Sequence, residues 1–209
     1  MSDQSERIVK KLWSYFIPVA PPEHTQRELE RLYVRNHHAV KPVVAAILRH
    51  PLFYTGPRMV KPPIVLTAGL LRARRRGIDT DAWAWLGDGA GQHLFQTPNV
   101  AGWDDTRWLD TATLRGRWYL ANYALAKGGT KDPDADAGTE PLDAGTLVDR
   151  AVAFWGSPRL SSQTHGALVD FAERSLAHAG ADWQRAAYPV LIQNALRQLI
   201  VVSPDYQTC

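Results

Sequence analysis

Apolar residues return every three or four positions through successive segments of this chain, and proline or glycine stands between the segments. That period matches one face of an α-helix, and the alternating β-branched runs of half-buried strands do not occur. The chain is therefore read as all-α: an irregular multi-helix bundle of about eight helices with one long Gly/Pro/Trp loop. Ile8, Leu12, Tyr15 and Phe16, with Val9 and Trp13 beside them, make 5–17 an amphipathic helix stopped by Pro18. Pro21 and Pro22 open a second helix through Leu29, Leu32 and Tyr33, and a third spans 40–49 before Pro51. Lys61-Pro62-Pro63 starts a fourth, in which Ile64, Ala68 and Leu71 mark the expected buried stripe. Its end is basic (Arg72, Arg74, Arg75, Arg76) with Gly77 as the stop. Asp79 or Thr80 can cap the next helix, which carries Trp83, Trp85 and Leu86.

Residues 87–105, rich in Gly, Pro, Asn and Asp, form the long loop, and helix resumes over 106–126. The expected organisation is a helical region 1–127 containing that loop, an acidic linker or exposed loop at 128–145, and helices within 146–209 packing on the same domain. Helix 5–17 carries apolar residues on more than one side, so a leftover face exposed or covered by self-association is expected.

Composition excludes more than it assigns. With 209 residues, 45% hydrophobic and 22% charged, the chain can bury a core and does not read as disordered. Its single cysteine, Cys209, rules out an intrachain disulfide and a Cys-based zinc site. The N-terminus is charged and polar where a signal peptide needs an apolar stretch, and no run approaches the ~18 apolar residues of a membrane span. The chain reads as soluble and without an address.

Several motifs invite a chemical reading and each has a plainer one. Gly87-Asp88-Gly89-Ala90-Gly91 resembles a phosphate loop, but a helix precedes it and Asp88 sits within it, so it reads as a helix-ending turn. Asp132, Asp134, Asp136, Glu140 and Asp143 have the spacing of a calcium loop, yet the glycine is one position late and the closing arm is the shorter Asp. A solvated acidic linker is the preferred reading. The arginines of 72–76 could meet a polyanion, but net charge is only +3 and no nucleic-acid motif accompanies them. Among seven histidines only His37-His38 are adjacent, and no third ligand completes a metal set. No metal, cofactor or nucleic acid is expected.

The loop resembles a family signature: Gly91-Gln92-x-Leu94-Phe95-x-x-Pro98-Asn99-Val100-x-Gly102-Trp103, then Trp108-Leu109 and Thr113-Leu114-x-x-Arg117. It is similar to the bacterial domain-of-unknown-function family 1800. Lys11-Leu12-Trp13-x-x-Phe16, Ile47-Leu48-x-x-Pro51-x-Phe53, Val60-Lys61-x-Pro63, Gly69-x-Leu71-Arg72 and Ser203-Pro204-Asp205-Tyr206-Gln207 agree in order. Three departures stand out. Members are usually longer, and this chain resembles their C-terminal half; Val65 replaces a common carboxylate; and Asp104-Asp105 stands where the family has Gly-Gly. The resemblance implies no established activity. It does imply an accessory role outside the cytoplasm, because members are often exported and encoded beside a sulfatase-like companion.

The eight tryptophans are unusual, and Trp103, Trp108 and Trp118 fall in or after the signature loop. Aromatic faces beside Gln92, Asn99, Asp104, Asp105, Arg107 and Arg117 suit a planar ligand, a glycan or a partner protein. The preferred reading is that the same residues fold the loop onto its helices. Two functions follow: a noncatalytic binding or accessory module recognising a protein or glycan, or a helical domain of a hydrolase-like enzyme completed by a missing N-terminal half.

Overall fold

The computed structural model describes residues 3–100, 102–104, 107–126, 143–178, 180 and 182–209. Among them the chain is helical, with one isolated antiparallel bridge, Val60 to Thr208, outside the helices. The order is α1 Asp3–Ser14, α2 Glu23–Arg35, α3 Val40–Arg49, α4 Pro51–Thr55, α5 Pro63–Ala73, α6 Ala82–Gly89, α7 Thr111–Ala126, α8 Ala144–Phe154, α9 Ser162–Ala177, α10 Asp182–Val202 and α11 Pro204–Gln207. The all-α reading holds, and α4 and α11, each a single proline-started turn, account for most of the excess over about eight. No helix among the described residues is long and apolar enough to cross a membrane. The acidic stretch 132–142 and Asp105 lie outside the described residues.

Two compact units form, Met1–Met59 and Val60–Cys209, each with its own core. In the first, Val9, Trp13 and Ile17 are fully buried against Leu29, Tyr33, Val43 and Ile47. Sequence placed the leading stripe of α1 on Ile8, Leu12 and Phe16. Those residues are half-buried against the same core, while the line one position on takes the centre. Trp13 makes the difference, because its indole N–H donates to the Val19 carbonyl (2.7 Å) and ties the turn after α1 to the helix. His37 and His38 sit at φ 53° and 65° and end α2: His38 N–H reaches Tyr33 O and His37 N–H reaches Val34 O.

In the second unit α8 packs on α9 and α10, α6 on α7, α5 on α6 and α7, and α10 on α7. The buried stripe of α5 is Pro63, Leu66, Thr67, Leu70 and Leu71, not the Ile64 and Ala68 expected from sequence, which face outward. Helix α5 also stops at Ala73, a turn short of Gly77. Arg75 takes the left-handed conformation (φ 50°), with Arg76 N–H closing on Leu71 O, so a non-glycine residue supplies the stop. Caps fix other starts. Asp143 accepts from Thr146 N–H at α8, Ser161 from Thr164 N–H at α9, and Ser203 from Tyr206 N–H at α11.

Candidate functional site

The signature loop begins as a helix terminator. Gln92 N–H bonds Gly87 O and Gly91 N–H bonds Asp88 O, with Gly91 at φ 102°, the pattern that closes α6 and satisfies its last carbonyls. The Gly87–Gly91 run is thus the end of a helix and presents no anion cradle. Glycine is required at 91 twice over: besides the backbone angle, a Cβ there would stand 2.9 Å from Thr113 Cγ2. The turn aims the buried Gln92 side chain across to α5, where its Oε1 accepts the Ile64 N–H (3.0 Å). Helix α5 has Pro62 at its N-cap, which offers no side-chain acceptor, so the signature glutamine caps a helix 28 residues away in sequence.

Arg117 is the centre of the same construction. It is 0% exposed, and its partners are all neutral oxygens: Nε donates to Trp108 O (2.8 Å), Nη1 to Gln207 Oε1 (2.7 Å) and Nη2 to Lys61 O (2.8 Å). Burial lowers its pKa to about 10, which still leaves it charged at neutral pH. Gln207 completes the relay by donating Nε2 to Val201 O (2.7 Å). Lys61 closes it, its N–H on Gln207 O (2.8 Å) and its ammonium on Tyr206 O (2.6 Å), 4.8 Å from the Tyr206 ring centre. Beside Arg117, Gly116 lets α7 meet α6 at backbone distance: a Cβ there would come within 2.0 Å of Gly89 O.

The residues singled out from sequence therefore separate. The Trp108 carbonyl and Arg117 belong to one buried network with Lys61 and Gln207, which sequence reasoning did not single out as site residues, while Gln92 makes a separate bond to the start of α5. The motif fragments Val60-Lys61-x-Pro63 and Tyr206-Gln207 were the signal that could have found Lys61 and Gln207. Asn99, Asp104 and Arg107 are exposed. Asn99 O accepts Gly102 N–H, Asp104 O accepts Arg107 N–H, and Arg107 Nε stands 4.0 Å from Asp110 Oδ2. Asp110 accepts from the Thr113 N–H and hydroxyl at the start of α7, and these bonds hold its carboxyl below the usual range. Trp103 and Trp108 are half-buried, and the Trp108 indole nitrogen is buried without a hydrogen-bond partner among the described residues. The bond of Arg117 to the loop is to the Trp108 carbonyl.

Above this base the loop changes character. Leu94, Phe95 and Val100 are exposed, Phe95 at 91% with φ 65° and Val100 fully. The basic end of α5 is also partly absorbed by structure, since the guanidinium of Arg74 lies 3.8 Å from the centre of the Phe154 ring and that of Arg197 lies 3.9 Å from it.

The buried network joins motif pieces from opposite ends of the second unit. No curated protein and no solved structure matches the chain. The family model described as "Protein of unknown function (DUF1800)" matches residues 2–208, and the chain belongs to that family.

Proposed function

We propose that the protein is a noncatalytic binding module whose signature loop docks on a partner protein, the buried base holding the loop while Leu94, Phe95 and Val100 make the contact. The observation that carries this is Phe95. A large aromatic side chain 91% exposed, on a backbone angle that non-glycine residues rarely adopt, is presented outward from a loop anchored by Gln92 and Arg117. Exposed apolar side chains on an anchored loop suit insertion into an apolar cleft better than they suit sugar hydroxyls. Asn99 and Trp103 lie near these residues in sequence, and the proposal assigns them to the rim of the contact. The partner implied by the family resemblance is the sulfatase-like companion.

The test places a photo-crosslinking amino acid at Phe95, and a second at the exposed Tyr54 as control, in the native host. Phe95 should crosslink one protein that Tyr54 does not. Reconstituted with that protein, Phe95→Asp should weaken binding at least about tenfold with an unchanged melting temperature, as for an interface anchor. Equal crosslinking at both positions, or full affinity in Phe95→Asp, would sink the proposal.

A further inference from the structure

Helix α6 carries two tryptophans two positions apart, which a helix sends to opposite sides. Trp83 is 6% exposed; its indole donates to Asp79 Oδ1 (2.8 Å) and its ring meets Tyr123 edge-on at 4.9 Å. Trp85 is 77% exposed and packs into no core. It lines an open dish of about 360 Å³ with Asp81, Ala82, Leu86 and Tyr123. Tyr123 is held in place by Trp83 and by a 2.8 Å bond between its hydroxyl and Thr80 Oγ1.

Asp81 is the second observation. It occupies the N-cap position of α6, where an aspartate ordinarily accepts a backbone N–H, yet its side chain makes no cap bond. Thr80 Oγ1 takes the Ala82 N–H instead (3.2 Å). Among the described residues Asp81 is thus the one charged group lining an otherwise aromatic and aliphatic dish, and its carboxylate makes no cap bond to the helix it begins.

We infer that this dish binds a small quaternary ammonium ion of the choline type, Trp85 and Tyr123 meeting its methyl groups and Asp81 its charge. The chemistry selects among ligands. A sugar needs several donors and acceptors, and the lining offers a carboxylate and a tyrosine hydroxyl already bonded. A primary ammonium or guanidinium needs several acceptors for its N–H groups. A methylated ammonium has no N–H to satisfy, spreads its charge over an apolar surface and suits an aromatic face beside a single anion. The α6 N-terminus opposes any cation with its partial positive charge, so the full charge of Asp81 must outweigh it.

The test is a titration of the whole protein with choline, followed by amide and indole NMR resonances, alongside 3,3-dimethylbutanol, the neutral isostere. Choline should shift the Trp85 indole signal saturably, and the alcohol should bind at least about tenfold more weakly. Trp85→Ala and Asp81→Asn should each lower choline affinity by about tenfold with the thermal transition unmoved, since neither side chain joins the core. No saturable shift, equal binding of the alcohol, or choline binding that survives both substitutions would each overturn the assignment. Shifts seen with phosphatidylcholine vesicles and not with free choline would also overturn it, because the dish would then read a membrane and not the ion.

Discussion

Arg117, a residue of the family signature, is fully buried and holds three separate stretches of the chain together. A guanidinium buried among neutral oxygens gives up its hydration and receives three directed bonds in return, so its geometry is fixed more tightly than its charge requires. Replacing it with Lys keeps the charge and loses the fork. We expect Arg117→Lys to cost about 2–4 kcal/mol and Arg117→Ala about 3–5 kcal/mol in urea unfolding, because buried acceptors are left unmet. Tyr206, in contact with the same network, gives a pH test. Burial pushes its phenol up to about 12. Above pH 10 the unfolded chain releases this proton and the folded chain holds it, so stability from Tyr206 is full below pH 10 and falls through the window up to about 12. The buried Arg117 has the opposite sign, holding fewer protons folded than unfolded above pH 10. The comparison of wild type with Tyr206→Phe separates them: by about pH 11 the variant should gain about 1.4 kcal/mol relative to its deficit at neutral pH. A difference that does not move with pH would show that Tyr206 titrates normally.

At the scale of elements, the helices were legible and their faces less so. Proline starts, the 3.6 period and the Gly-rich end of α6 placed most helices to within a turn. Misplaced stripes in α1 and α5 share a cause: when apolar residues occupy adjacent lines on a short helix, neighbours decide which line is buried, and periodicity alone cannot. The terminators at His37 and Arg75 were illegible for another reason: histidine is only modestly favoured in a left-handed backbone and arginine not at all, so neither residue announces one. The contact between α6 and α7 depends on a residue whose value lies in having no side chain. Gly116→Ala would drive a methyl into the Gly89 carbonyl, and overpacking of that kind costs about 1–3 kcal/mol, read as a lower urea midpoint with unchanged slope. Ser161 is the opposite case, a position where the side chain is everything. It caps α9 and donates both its N–H and its hydroxyl to Asp205 Oδ2 at 2.8 Å, so Ser161→Ala should cost about 1–2 kcal/mol in the same assay.

At the scale of the second unit, sequence could name the parts of the buried network but not their meeting. Gln92 and Arg117 were picked out as loop residues, whereas Lys61 and Gln207 lie far along the chain, and no local pattern announces a partner 56 or 90 residues away. What such a seam does to folding follows from its span. The Lys61 ammonium and the Tyr206 carbonyl are 145 residues apart, so forming this seam closes a long loop, whereas the helices beneath it form from local contacts. Long-range closure of this kind is therefore expected after the helices have packed. Gln207→Leu removes the acceptor of Arg117 and the donor to Val201 while keeping the side chain's bulk, and should cost about 2–4 kcal/mol. If those bonds form after the transition state, as their span leads us to expect, the loss should fall on unfolding: about a thirtyfold or greater rise in unfolding rate with folding rate nearly unchanged. Stopped-flow folding and unfolding across a urea series measures both limbs. A folding rate that drops in proportion to the lost stability would place the seam in the nucleus, and the order of assembly argued from its span would be reversed.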